Sequence, residues 1–145
     1  MKLKENTQLK DIMTTEVEVI SPQDTLRDAA QKMRVHNVGF LPVCEDDQVL
    51  GAITDRDITV RATADGVNPD KPIKEFITTP IISCFDDDDI EKAANLMEEH
   101  QIRRVVILSR NDQHLAGVIS LGDVAVISGK DTSAGVLQNV SEQKS

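Results

Sequence analysis

The chain has 145 residues and a mass of 16.0 kDa, enough for one compact domain or two small ones that share a core. Apolar residues make up 39% of it, yet with three Phe and neither Trp nor Tyr the core must be built from Val, Ile, Leu, Ala and Met. A net charge of −9 and a pI near 4.7 argue against nucleic acid or an anionic membrane as partner, since both require a basic face.

The opening stretch "MKLKENTQLKDIM" lacks the apolar core of a signal peptide, and no apolar run approaches the roughly 18 residues of a membrane span. A cytoplasmic protein without a membrane partner is therefore expected. "VEVIS" (17–21) is a short β-prone run. In "SPQDTLRDAAQKMRVHN", which follows it, Leu26, Ala29, Ala30 and Met33 recur at spacings of three and four, which predicts an amphipathic helix. Two strands come next, "GFLPVCE" and "VLGAIT", joined by the polar turn "DDQ", and then a second helix near "RDITVRATA". Residues 65–72, rich in Gly, Asn, Asp and Pro, read as a linker.

The same order then recurs. "IISCF" is the β-prone run, and "DDDDIEKAANLMEEHQ" puts Ile90, Ala93, Ala94 and Met97 on one helical face. "RRVVILS" and "LAGVIS" are the strand pair, and "GDVAVISG" is the second helix. A tail from Thr132 carries Ala134, Leu137 and Val140 and is expected to form one more short helix. The order is β-α-β-β-α, written twice, with Ile73 standing 64 positions after Leu9. At that offset Thr14, Thr15, Asp24, Ala29, Ala30, Met33 and His36 meet Thr78, Thr79, Asp88, Ala93, Ala94, Met97 and His100. Past the strand turn the offset is 66, so that Gly51, Ile53 and Asp57 meet Gly117, Ile119 and Asp123. The chain is an internal duplication: repeats at 9–64 and 73–128, the linker at 65–72 between them, and a C-terminal tail at 129–145.

Few residues invite a chemical reading. Asp86–Asp89 stand at a helix start, where carboxylates cap free N–H groups and oppose the helix dipole; a hard cation needs converging oxygens from a defined loop. His36 and His100 sit at equivalent helix ends, where a cap or packing role is expected. Cys44 and Cys84 offer no metal-ligand spacing and read as buried reduced thiols. No nucleophile motif, catalytic triad or zinc spacing is present, so the sequence gives no warrant for an enzyme or a metal site.

The phrase that stands out is repeated: "GAITDRDI" from Gly51 and "GVISLGDV" from Gly117. A glycine within a strand allows close approach of another group. Thr54 and Ser120 fall just before the second helix, where a hydroxyl can cap it and face a phosphate or sugar. Asp57 and Asp123 stand three residues on, where a carboxylate can take both hydroxyls of a vicinal diol, as an acidic residue does for ribose in another nucleotide-binding fold. The alternative is a pair of capping boxes with no ligand.

From Leu9 to about Val126 the sequence resembles a tandem pair of cystathionine beta-synthase (CBS) domains, a Bateman module. The β-α-β-β-α duplication, the strands "GFLPV" and "RRVVI", and both Gly-x-x-Thr/Ser-x-x-Asp phrases carry the resemblance. It implies an α/β fold in which two repeats pack sheet to sheet about a pseudo-twofold axis. It also implies clefts that hold an adenine nucleotide (AMP, ADP or ATP, with S-adenosylmethionine as a further candidate). Asp57 and Asp123 would take ribose, and Thr54 and Ser120 would lie near the phosphates or sugar. Gly51, Gly117, Gly39, Phe40, Ile20 and Cys84 would supply cleft backbone.

In such modules, residues opening the central strand of one repeat reach the cleft headed by the Asp of the other. Arg103 and Arg104 alternate along the strand and should point to opposite faces, so one of them would grip phosphate in the Asp57 cleft; Gly39 and Phe40 would leave the Asp123 cleft uncharged, and one tight nucleotide per chain, in the Asp57 cleft, is expected. Pro42 matches the family strand, and Val106 departs from it at the equivalent position, which should alter backbone hydrogen bonding more than ligand chemistry. The resemblance further implies a homodimer read by an effector protein. Apolar Ile58, Val60, Val124 and Ile127 on the second helices are expected to be incompletely covered. A dimerisation module without a nucleotide is the other reading left open.

Overall fold

The computed structural model describes residues 7–128. The tail at 129–145, with the helix expected from Thr132, lies outside the described residues. The chain forms two compact units, and the division does not follow the repeats. One unit is the continuous stretch 17–81; the other joins the residues up to Glu16 to those from Ile82 onward.

In the continuous unit, α1 (Leu26–His36) begins at Thr25, which accepts from the Asp28 N–H at 3.0 Å while the Asp28 carboxylate accepts from the Thr25 N–H at 2.9 Å. This reciprocal capping box satisfies two N–H groups that the helix start would leave bare. Asn37 ends the helix in the left-handed conformation (φ 53°), and its N–H and that of Val38 turn back to the Met33 carbonyl. Strands β1 (Phe40–Glu45) and β2 (Gln48–Thr54) follow as an antiparallel pair, Phe40 opposite Thr54 and Val43 opposite Gly51. A π-helix, Asp57–Ala62, comes next. The core gathers Ile20, Leu26, Ala29, Met33, Leu41, Val43, Ile53, Ala62, Ile73 and Phe76. Burying a Leu, Ile or Val of this kind contributes roughly 1.5–3 kcal/mol.

The other unit repeats the plan. β3 (Ser83–Phe85) pairs in parallel with β4 (Arg104–Leu108), which pairs antiparallel with β5 (Leu115–Ser120). α2 (Ile90–His100) is capped by Asp89, and α3 spans Leu121–Ser128. Its core holds Leu9, Cys84, Ala93, Ala94, Met97, Val105, Ile107, Ile119, Leu121 and Val124. Gln101, equivalent to Asn37, ends α2 with φ 55°.

Two expectations need correction. "VEVIS" does not form a strand: only Ile20 bridges to Val43, donating to the Pro42 carbonyl at 3.0 Å and accepting from the Cys44 N–H at 2.9 Å. In the other unit the Val106 N–H donates to the Ile82 carbonyl at 3.3 Å; Pro42, at the equivalent place, has no N–H to give, and the ladder stops. Residues 65–72, between the two repeats, belong to the continuous unit. They run along the start of α1, where the Pro69 and Lys71 carbonyls accept from the Arg27 and Leu26 N–H groups and Thr25 bridges to Pro72. On the second helices, Val124 is fully buried and Ile58 and Ile127 are half-buried; the exposed apolar residues are Val60 (50% exposed) and Val126 (84%).

The repeats also exchange their leading segments. Leu9 and Ile73 are equivalent in the duplication, and each is buried in the unit built around the strands of the other repeat. Thr14 bridges to Val118, and Thr78, its counterpart, bridges to Ala52.

Candidate functional site

Each repeat turns from strand into helix at the glycine-hydroxyl-carboxylate phrase, and both copies form the same reciprocal box. The Thr54 N–H donates to Asp57 Oδ2 at 2.9 Å, and the Asp57 N–H donates to Thr54 Oγ1 at 3.1 Å. The Ser120 N–H donates to Asp123 Oδ2 at 3.0 Å, and the Asp123 N–H donates to Ser120 Oγ at 3.1 Å. Two consequences follow. Each hydroxyl accepts from its helix, which leaves its own proton to donate outward. Each carboxylate is fixed through Oδ2, which leaves Oδ1 to face other partners.

The glycines serve the exchanged segments. A Cβ at Gly51 would lie 2.5 Å from the Thr78 carbonyl oxygen, and one at Gly117 would lie 2.6 Å from that of Thr14. The Thr78 backbone is held against Ala52 by bonds of 2.8 and 3.1 Å, and the Thr14 backbone against Val118 by two of 3.0 Å. The close approach for which a glycine was expected is therefore made by the chain itself.

The two carboxylates differ in their further partners. The Thr78 hydroxyl makes long contacts of 3.4 Å to both Asp57 oxygens. Arg61 Nη1 stands 3.8 Å from Asp57 Oδ1, and its guanidinium donates to the Phe76 carbonyl at 3.2 Å and to that of Glu75 at 3.3 Å. Asp123 has no cation beside it among the described residues. Position 127, the counterpart of Arg61, is Ile. Arg61 and Thr78 were not among the sequence candidates. The pairing of Thr14-Thr15 with Thr78-Thr79 in the duplication was the available signal for Thr78; a repeat comparison cannot single out Arg61.

Other candidates are placed as follows. Arg103 and Arg104 are both exposed, the Arg103 carbonyl accepts from the Leu121 N–H at 2.7 Å, and Arg104 lies opposite Ser120 in the ladder. Gly39 and Phe40 stand in the same relation to Asp55 and Thr54. The side chains of Ile20 and Cys84 belong to the two cores, so only their backbones could border a ligand. Burial, followed by the nearby Asp88, pushes the Cys84 thiol up to about 12, and burial, then Asp47, raises that of Cys44. Of the acidic run, Asp89 caps α2, Asp88 accepts from the Phe85 N–H at 2.8 Å, and Asp87 binds Arg110 at 2.7 Å. His36 pairs with Glu18 at 3.2 Å, tying the end of α1 to the segment before Ile20, whereas His100 lies 3.9 Å from its neighbour Glu99.

Comparison with known proteins agrees with this duplicated plan. The CBS domain family model matches residues 9–62 and again 73–128. CBS domain-containing protein YhcV of Bacillus subtilis is 43% identical over 136 residues, which cover 93% of this chain and 96% of YhcV. Hypoxic response protein 1 of Mycobacterium tuberculosis is 37% identical over 121 residues, 82% of this chain and 83% of that one. A crystal structure of Hypoxic Response Protein I with two coordinated zinc ions superposes with a TM-score of 0.75 at 37% identity, over 83% of this chain and 98% of that one. CBSX2, crystallised in complex with AMP, superposes with a TM-score of 0.70 at 24% identity, over 82% of this chain and 93% of that one, and shows the shared fold. No described helix is long and apolar enough to cross a membrane. With both repeats matched by the family model and the whole plan shared with a relative of almost the same extent, the chain belongs to the CBS domain family, as a tandem pair.

Proposed function

We propose that the chain is a regulatory module that binds an adenosine-containing nucleotide at its Gly-x-x-Thr/Ser-x-x-Asp motifs. The observation that carries this reading is the duplicated box, which fixes a carboxylate through one oxygen and holds a hydroxyl beside it, twice. Asp57 and Asp123 take the ribose diol; Thr54 and Ser120 donate toward the phosphates or sugar, near the backbones of Gly39, Phe40, Gly51, Gly117, Ile20 and Cys84. Arg103 and Arg104, exposed in an otherwise acidic protein, supply cationic charge for the phosphates. AMP bound to CBSX2 supports the ligand class: AMP, ADP or ATP, with S-adenosylmethionine as a further member. The module acts as a homodimer whose ligand-favoured state an effector protein reads, and a sensor of this kind works in the cytoplasm, where its ligand is made. It performs no chemistry of its own.

Zinc belongs to Hypoxic Response Protein I. Among the described residues of this chain no three His, Cys, Asp or Glu side chains converge as a metal donor set.

The test is calorimetry on Asp57→Ala and Asp123→Ala. Hydrogen bonds to a charged acceptor contribute roughly 1.5–3 kcal/mol each, so affinity at the altered motif should fall at least about tenfold with the fold intact. A 2′-deoxy nucleotide should bind the wild type more weakly than its ribose parent and should be disfavoured less by the Ala variants; equal discrimination by all three proteins refutes the ribose role. A second reading, a dimerisation module without a nucleotide, is favoured by one observation: each box already satisfies its own helix start. Thermal-shift screening separates the two, because a ligand bound only by the native state must raise the melting temperature.

A further inference from the structure

We infer that Arg61 and Thr78 form a latch on Asp57, so that a ribose diol taken at Asp57 must displace the chain's own donors, whereas Asp123 takes a diol unopposed. This rests on the ribose role proposed above and adds an inequality between the two motifs that arises from residues outside both.

A carboxylate offers about four lone-pair sites. At Asp123 one is taken by the Ser120 N–H, and no other hydrogen bond or ion pair reaches the side chain among the described residues. At Asp57 the Thr54 N–H takes one, the Thr78 hydroxyl spans both oxygens, and the Arg61 guanidinium stands beside Oδ1. The Asp57 side chain is only 13% exposed, which leaves little room for a diol beside these donors. The Thr78 contacts, at 3.4 Å, are too long to be strong and are the first to yield.

Arg61 does more than neutralise. Two of its nitrogens hold the Phe76 and Glu75 carbonyls, so one side chain ties the carboxylate to the segment that carries Thr78. Occupancy at Asp57 is thereby coupled to the 75–78 segment, the leading segment that the second repeat lends to this unit. Arg61 is a positioning residue and touches no ligand in this scheme.

The test isolates one motif at a time. In an Asp123→Ala background only Asp57 is left to recognise ribose; there, Arg61→Ile (the residue at position 127) and Thr78→Val each remove a competing donor. Arg61→Ile should tighten adenosine by about two- to fivefold, the size of a part-exposed ion pair, Thr78→Val by about twofold, the low end for a neutral hydrogen bond, and both should raise its preference over 2′-deoxyadenosine. In an Asp57→Ala background the same substitutions should change adenosine affinity by less than about 1.5-fold. Weaker adenosine binding in either variant, or a loss confined to AMP in Arg61→Ile, would make these groups ligand contacts and overturn the latch. Unchanged affinity in both variants, with Asp57→Ala still costing ribose recognition, overturns the latch and leaves the ribose role standing. If adenosine binds none of these proteins, both fail. Should Arg61→Ile not fold, as melting will show, Thr78→Val decides alone.

Discussion

Replacing Gly51 with Ala puts a methyl group 2.5 Å from the Thr78 carbonyl oxygen and 2.9 Å from Thr79 Cγ2. The Thr79 methyl belongs to a side chain and can rotate away; the carbonyl belongs to the backbone and cannot. To reach an ordinary contact of 3.4 Å the carbonyl must retreat by about 0.9 Å, which breaks the Ala52 N–H to Thr78 bond of 3.1 Å and strains its 2.8 Å companion. Two weakened bonds cost about 1–3 kcal/mol, and packing strain adds a further ~1–3 kcal/mol. The lower entropy of the unfolded chain offsets about 0.4–1 kcal/mol of this. A net loss of about 1–5 kcal/mol, centred near 3, follows, read in urea unfolding as a midpoint lowered by roughly 1–2 M at the centre of that range with the slope unchanged. Gly117→Ala, facing the Thr14 carbonyl at 2.6 Å, should behave alike. Gly122 is the control, because its Cβ would meet only Ser120 Oγ at 3.7 Å within a helix where Ala outranks Gly by about 1 kcal/mol. If Gly51→Ala unfolds within about 0.5 kcal/mol of wild type, or Gly122→Ala loses as much as Gly51→Ala, the close approach is not what fixes these glycines.

Three further outcomes are expected. The Cys84 thiol, raised from the ordinary 9.0 to about 12, should resist alkylation in the native protein at pH 8, and its contribution to stability, complete below pH 9, should be lost as pH rises through 12; mass spectrometry of native and unfolded samples checks the first, and rapid labelling at pH 8 in native buffer would refute it. Val106→Pro should cost only about 1–2 kcal/mol in urea unfolding, because it removes the single 3.3 Å bond to Ile82 that Pro42 shows the plan can lose; a cost of 3 kcal/mol or more, the penalty of a helix-interior proline, refutes this. Light scattering should give about twice the 16.0 kDa chain mass, with Val60→Asp or Val126→Asp lowering it toward one chain; a monomeric wild type at micromolar concentration counts against the dimer.

What the sequence made legible was local. The spacing of Leu26, Ala29, Ala30 and Met33, and of Ile90, Ala93, Ala94 and Met97, located both long helices: six of these side chains are buried, Ile90 is half-buried and Ala30 is exposed. The three-residue interval from Thr54 to Asp57 announced the box, because capping is a contact between near neighbours. Contacts over longer separations stayed hidden. Nothing in "VEVIS" reveals that its partner strand lacks an N–H at Pro42, and nothing in "RDITVRATA" reveals π winding. Thr78 reaches Asp57 across 21 residues, and which unit would accept the leading segments is a choice of tertiary packing, which the repeat alignment, by pairing like with like, steers the eye away from.

The exchange of leading segments sets an order of events during synthesis. Stretch 17–81 contains every part of its own unit and can close as soon as residue 81 has cleared the ribosome. The other unit cannot. Leu9 must wait for Asp88, whose carbonyl accepts its N–H at 2.8 Å, and Thr14 must wait for Val118. Through that interval residues 9–14 remain unpaired, with Leu9 uncovered. The acceptor strand of a second nascent copy is then as good a mate as the chain's own, because both present the same edge at Val118. Translation that pauses between residues 81 and 118 lengthens this exposure, and arm-traded dimers are the product it favours.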